Sequence, residues 1–210
     1  MALKNIYGCK QSVFDARKDG SCWGISIDFC RRALDHGALQ AIASMVDEKA
    51  SVAEKAELYM KAQDSRIHAV AKPMFIPDTG GEMKFGATSL AGQINEGIAI
   101  QLRHNVVQDL IAAFGIKNIG TLTSFYEGGT ETMIQRLISL SRKAGKTCVM
   151  LDLQNPSEGH SVVLSYEAPA IYFFDSNEGL FSAEMDTVAA DLTKRFECWQ
   201  YTFAHLLVKK

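Results

Sequence analysis

Helical signals fill the first part of this chain and strand signals the last, and that segregation limits what it can fold into. After the turn residues Asp19-Gly20-Ser21, the apolar positions Trp23, Ile27, Cys30 and Leu34 recur at helical spacing to about residue 35. Residues 38–71, rich in Ala, Glu and Lys, predict one or two further helices closed by Pro73. Pro77, Gly80, Gly81 and Gly86 mark residues 74–90 as a long loop that could border a cleft, and helices are predicted again over about 91–114 and 129–143. The β-branched, aromatic and aliphatic runs 147–153, 160–166, 170–174 and 198–208 then read as strands, with a helix over roughly 183–197. Helices first and strands later predict an α+β fold built on an antiparallel sheet, not an alternating α/β fold. The length of 210 residues suits one domain over 1–210, with 1–145 mainly helical and 146–210 forming the sheet part.

Composition narrows the function. The 22 basic and 24 acidic side chains are dispersed and nearly balanced, which leaves no basic footprint for nucleic acid. No apolar run reaches the ~18 residues of a membrane span, and no apolar core followed by a cleavage site stands at the N-terminus. The expectation is therefore a chain with no membrane span and no cleavable leader. Five cysteines, an odd number without a Cys-x-x-Cys pair, fit a reducing compartment better than a disulfide framework. No two histidines or cysteines fall at zinc-ligand spacing, so neither metal nor cofactor is expected.

Cys22 is the candidate nucleophile. It opens a helix, where the positive end of the helix dipole favours a thiolate; with an imidazolium beside it, a thiol pKa can fall from ~8.5 to as little as ~3.5. Gly20 admits close approach of a substrate, Ser21 supplies a helix cap and Trp23 anchors the helix start in the core. Cys9, Cys30, Cys148 and Cys198 read as inert thiols.

His160 is the candidate base. It begins a predicted strand after a glycine-containing loop, which leaves its ring open to a cleft. If Tyr166-Glu167-Ala168-Pro169 is a four-residue turn, Ser165 pairs with Ala170, and counting outward sets His160 directly across from Asp175 on one face. Asp175 would then hold one ring nitrogen and direct the other toward a thiol. A slip by one residue would send the carboxylate to the opposite face.

Other features carry no chemistry. Asp175-Ser176-Asn177-Glu178-Gly179 resembles a calcium loop, but its glycine comes one position early and the later Glu is missing. Gly145-Lys146-Thr147 ends like a phosphate loop, but Leu140 stands where the upstream glycine belongs. His36, His68, His104 and His205 read as capping, surface or core residues.

The blocks Gly20-Ser21-Cys22-Trp23-Gly24, Gly159-His160-Ser161-Val162-Val163 and Phe174-Asp175-Ser176-Asn177-Glu178-Gly179 resemble those of the YopT-like cysteine proteases, a papain-like family of bacterial secreted effectors. Their order and their spacings of 138 and 15 residues carry the resemblance more than any single block does. It implies a papain-like fold, with Cys22 as nucleophile, His160 as general base and acid and Asp175 as its orienter, acting through a thioester. It also implies a protein substrate, from a host or another partner, and passage from the bacterial cytoplasm into a host cell. Many papain-like enzymes place a Gln six residues before the nucleophile to stabilise the oxyanion; here that residue is Ala16, leaving Gln11 or backbone N–H groups at the helix start for the task. The same triad also serves deamidases, acyltransferases and peptidoglycan amidases, and a binding protein on the same fold would keep Cys22 for packing alone.

Overall fold

The computed structural model describes residues 3–14, 21–71, 108–124, 127–155, 158–199 and 201–210. Among them, seven strands form one sheet: β1 (Lys4–Gly8), β2 (Ile116–Thr123), β3 (Thr147–Gln154), β4 (Gly159–Glu167), β5 (Ala170–Asp175), β6 (Gly179–Ala183) and β7 (Tyr201–Lys209). Their order is β1-β6-β5-β4-β3-β7-β2, and every neighbouring pair is antiparallel. The helices are α1 (Gln11–Phe14), α2 (Cys22–His36), α3 (Ala38–Asp47), α4 (Lys49–Ala71), α5 (Thr130–Ala144) and α6 (Val188–Arg195), with a further helical stretch over 108–113.

Both faces of the sheet are covered. Cys148, Met150, Val163, Phe174 and Leu207 share a core with Ile25, Phe29 and Ala33 of α2 and with Ile42 and Met45 of α3. Their strand neighbours Val149, Leu151, Val162, Leu164 and Phe173 share a second core with Ile134 and Leu137 of α5 and Leu192 of α6. Successive residues of β3 therefore point into different cores, and all eight are buried. That is why Cys148 to Leu151 reads as a continuous apolar run instead of an alternation, with Asp152 the one charged residue of the strand.

The α+β arrangement expected from the sequence is the one found. The 38–71 stretch resolves into α3 and α4, and the helix expected over 129–143 is α5. Two strands, β1 and β2, come from the half expected to be mainly helical. They are the edge strands, and β1 is exposed throughout, so neither carries the apolar run that marks a buried strand. The helix expected over 183–197 is shorter: residue 183 ends β6, and turns at 185–187 and 196–198 flank α6. The loop expected over 74–90 and residues 91–107 of the next expected helix lie outside the described residues.

The β4–β5 hairpin corrects the expected turn. Ala168 and Pro169 alone form it, Glu167 pairs with Ala170, and Asp175 lies opposite Val162, not His160. The register is thus displaced by two residues. Because side chains alternate with a period of two, the displacement keeps His160 and Asp175 on one face as diagonal neighbours.

Candidate active site

Cys22 is the first residue of α2 and is 8% exposed. The expected Ser21 cap is absent: Ser21 makes no side-chain cap hydrogen bond, and its carbonyl accepts the first helical bond from the Ile25 N–H at 3.0 Å. The helix is held instead by its packing. Trp23 is buried as expected, the Phe29 ring stacks on Phe174 of β5 at 4.2 Å, and Ser26 Oγ donates to the Ser161 carbonyl of β4 at 2.9 Å. Gly24 lies against the Ala56 backbone of α4, where a Cβ would come within 2.6 Å of the carbonyl oxygen. These contacts bring the start of α2 to the end of the sheet where β4 begins and β5 ends.

His160 is the second residue of β4 and Asp175 the last of β5. Their diagonal placement sets His160 Nε2 3.0 Å from Asp175 Oδ1, with side chains only 14% and 8% exposed. The backbone N–H of Asn177 donates to the same oxygen at 2.8 Å. Cys22 lies close enough to the imidazole to act on its pKa, and with Nε2 committed to Asp175 the nitrogen left for the thiol is Nδ1. Trp199 lies 6.3 Å from the imidazole, ring centre to ring centre, and nearly parallel to it.

Burial pushes the His160 pKa down, but the hydrogen bonds to Asp175 and Cys22 and the charges of both outweigh it, raising the group to about 10. The imidazolium is therefore the favoured form at neutral pH. Burial, aided by the Asp175 charge, pushes the Cys9 thiol up to about 11. Cys30 is raised too, chiefly by burial and then by Cys148 beside it. Both are protonated at neutral pH and poor nucleophiles.

The structure thus brings Cys22, His160 and Asp175 together. His36 ends α2 on the surface, and His205 is buried in β7 beside Asp152. His104, Ala16 and the side chains of His68 and Gln11 lie outside the described residues. Trp199, the Asn177 N–H and the Ser26 tie were not legible as site features, because no local pattern links them to His160 or Cys22. Among the described residues, no group of three or more His, Cys, Asp or Glu is placed to hold a metal, and no helix is long and apolar enough to cross a membrane.

No family model and no curated protein matches the chain. Among solved structures, the Pseudomonas avirulence protein AvrPphB is similar, with a TM-score of 0.64 and 11% sequence identity over 97% of this chain and 96% of that one. At that identity the likeness is one of fold, and it extends over nearly the whole of both chains: the papain-like α+β arrangement, a helix opening with Cys22 against an antiparallel sheet.

Proposed function

We propose that the chain is a cysteine protease in which Cys22 attacks a peptide carbonyl, His160 moves the proton and Asp175 orients His160. The observation that carries this reading is the 3.0 Å contact of Asp175 Oδ1 with the His160 ring, with Cys22, at a helix N-terminus, close enough to that ring to raise its pKa. Cys22 attacks through its sulfur with the thiol proton held on His160. Attack forms a C–S bond and a tetrahedral oxyanion, for which backbone N–H groups at the start of α2 would serve as donors. The imidazolium then protonates the leaving amine as the C–N bond breaks, leaving a thioester. Neutral His160 next takes a proton from water, and hydroxide attack on the thioester releases the acid and restores the thiol.

The similarity to an avirulence protein and the resemblance of the three sequence blocks support a secreted bacterial effector that cuts a host or partner protein. Iodoacetamide at mildly acidic pH tests the nucleophile: Cys22 is expected to be alkylated ahead of the other four cysteines. A Cys22 as sluggish as its companions would sink the reading. With a protein substrate in hand, Cys22→Ala is expected to abolish cleavage, and mass spectrometry of the products tells cleavage from deamidation.

A further inference from the structure

Arg195 closes α6 and sits beside the end of the sheet that carries His160 and Asp175. Its guanidinium carbon is 5.3 Å from the ring centre of Phe173 on β5 and 5.4 Å from that of Phe181 on β6. Both distances fall within the ~6 Å over which an aromatic ring attracts a cation. Nη2 touches Glu178 Oε1 in the β5–β6 turn and lies 3.9 Å from Asp175 Oδ2. The side chain is 28% exposed. Two rings and two carboxylates therefore define where this guanidinium sits.

The two oxygens of Asp175 are divided by this arrangement. Oδ1 accepts from His160 Nε2 and the Asn177 N–H, while Oδ2 faces the Arg195 cation. Without Arg195 this buried carboxylate would keep the imidazolium on Oδ1 but have no cation facing Oδ2, and it would turn toward another donor. That turn would weaken its hold on His160.

We propose that Arg195 is a positioning residue, holding the Asp175 carboxylate through Oδ2 so that Oδ1 stays on His160. Its consequence for the proposed protease rests on Cys22 and His160 being the reacting pair, whereas its effect on the His160–Asp175 contact does not. The charged and titratable groups around that contact are Cys22 from α2, Arg195 from α6, Glu178 in the turn, and Cys9 after β1, whose thiol feels the Asp175 charge.

The test is an NMR titration of the His160 imidazole, beside a pH–rate profile of Cys22 alkylation by iodoacetamide, in Arg195→Met, Arg195→Lys and Asp175→Asn. Methionine keeps an unbranched stem against the two rings and removes the charge. Arg195→Met is expected to lower the His160 pKa by about one unit or more, because Asp175 no longer offsets the burial of the ring. The pH at which loss of the imidazolium proton changes the alkylation rate is expected to move down with it. Arg195→Lys is expected to retain most of the wild-type value, and Arg195→Met to add nothing in the Asp175→Asn background.

An unchanged His160 pKa in folded Arg195→Met overturns the proposal, and so does an equal loss without Asp175. A rise overturns it too, since that is what removal of a merely nearby positive charge would produce. If Arg195→Met does not fold, Phe181→Leu removes one ring face without removing a charge. A smaller fall is then expected, and no fall counts against the proposal. The NMR titration reads Arg195 even when Cys22 alkylates slowly, so failure of this inference is distinguishable from failure of the nucleophile.

Discussion

Gly24→Ala adds one methyl group two residues from Cys22, and the structure makes its effect the opposite of the usual one. In a free helix interior, alanine is favoured over glycine by about 1 kcal/mol. Here the new Cβ would lie 2.6 Å from the Ala56 carbonyl oxygen and 2.7 Å from Ala56 Cα. Ordinary contact begins near 3.4 Å, so α2 and α4 have to separate by about 0.8 Å. Backbone is hit on the Ala56 side, so no rotamer change relieves the clash. Overpacking of this kind costs about 1–3 kcal/mol, and a backbone obstacle puts it toward the upper end, leaving a net loss of about 1–2 kcal/mol after the propensity gain. Any part of the displacement taken up by α2 moves Cys22 relative to His160 and strains the ties that Ser26 and Phe29 make to the strands carrying His160 and Asp175. A shift approaching 1 Å is enough to cost on the order of 100-fold in a positioned reaction. Urea unfolding and the rate of Cys22 alkylation at pH 6 measure the two effects. A variant more stable than wild type, or one alkylated at the wild-type rate, would refute the close-packing argument. Ala56→Gly is not expected to rescue it, since the obstructing atoms remain.

Two further outcomes follow from the site. In the folded chain Asp175 and Cys22 together outweigh burial and hold His160 at about 10. A raised folded-state pKa stabilises fully below the unfolded value and is lost as pH rises through the folded value. Urea unfolding midpoints are therefore expected to fall as pH climbs from about 6.5 toward 10, with His160→Gln removing most of that slope; a slope unchanged by His160→Gln would contradict the assignment. Gly179→Ala is expected to detach β1 from β6, since φ is 116° and a Cβ would collide with the Tyr7 carbonyl oxygen. Hydrogen exchange of β1 amides is expected to accelerate while β3 stays protected, and undiminished β1 protection would count against the tight approach.

The hairpin shows which parts of the site could be read without coordinates. Turn length was misjudged, because Tyr166 and Glu167 continue β4 although Glu167-Ala168-Pro169 has turn-like composition. The prediction that His160 and Asp175 share a face survived, since a two-residue displacement preserves alternation and a one-residue slip would not. Gly24 and Gly179 stood in the quoted blocks, but their roles depend on Ala56 and Tyr7, neither of which has a sequence pattern pointing to them. The missed edge strands have the same origin: β1 is fully exposed and has no apolar face to announce it.

By itself, the sequence determined the segregated α+β class, the helix opening at Cys22 and the common face of His160 and Asp175. Each follows from periodicity or composition over a short stretch of chain, where backbone geometry alone decides which way a side chain points. Only the tertiary structure decided that Cys22 meets the His160 ring, that Trp199 lies alongside it and that Arg195 faces the far oxygen of Asp175. Those contacts join segments far apart in the chain, and they depend on how helices seat against the two faces of the sheet, which residue spacing does not encode.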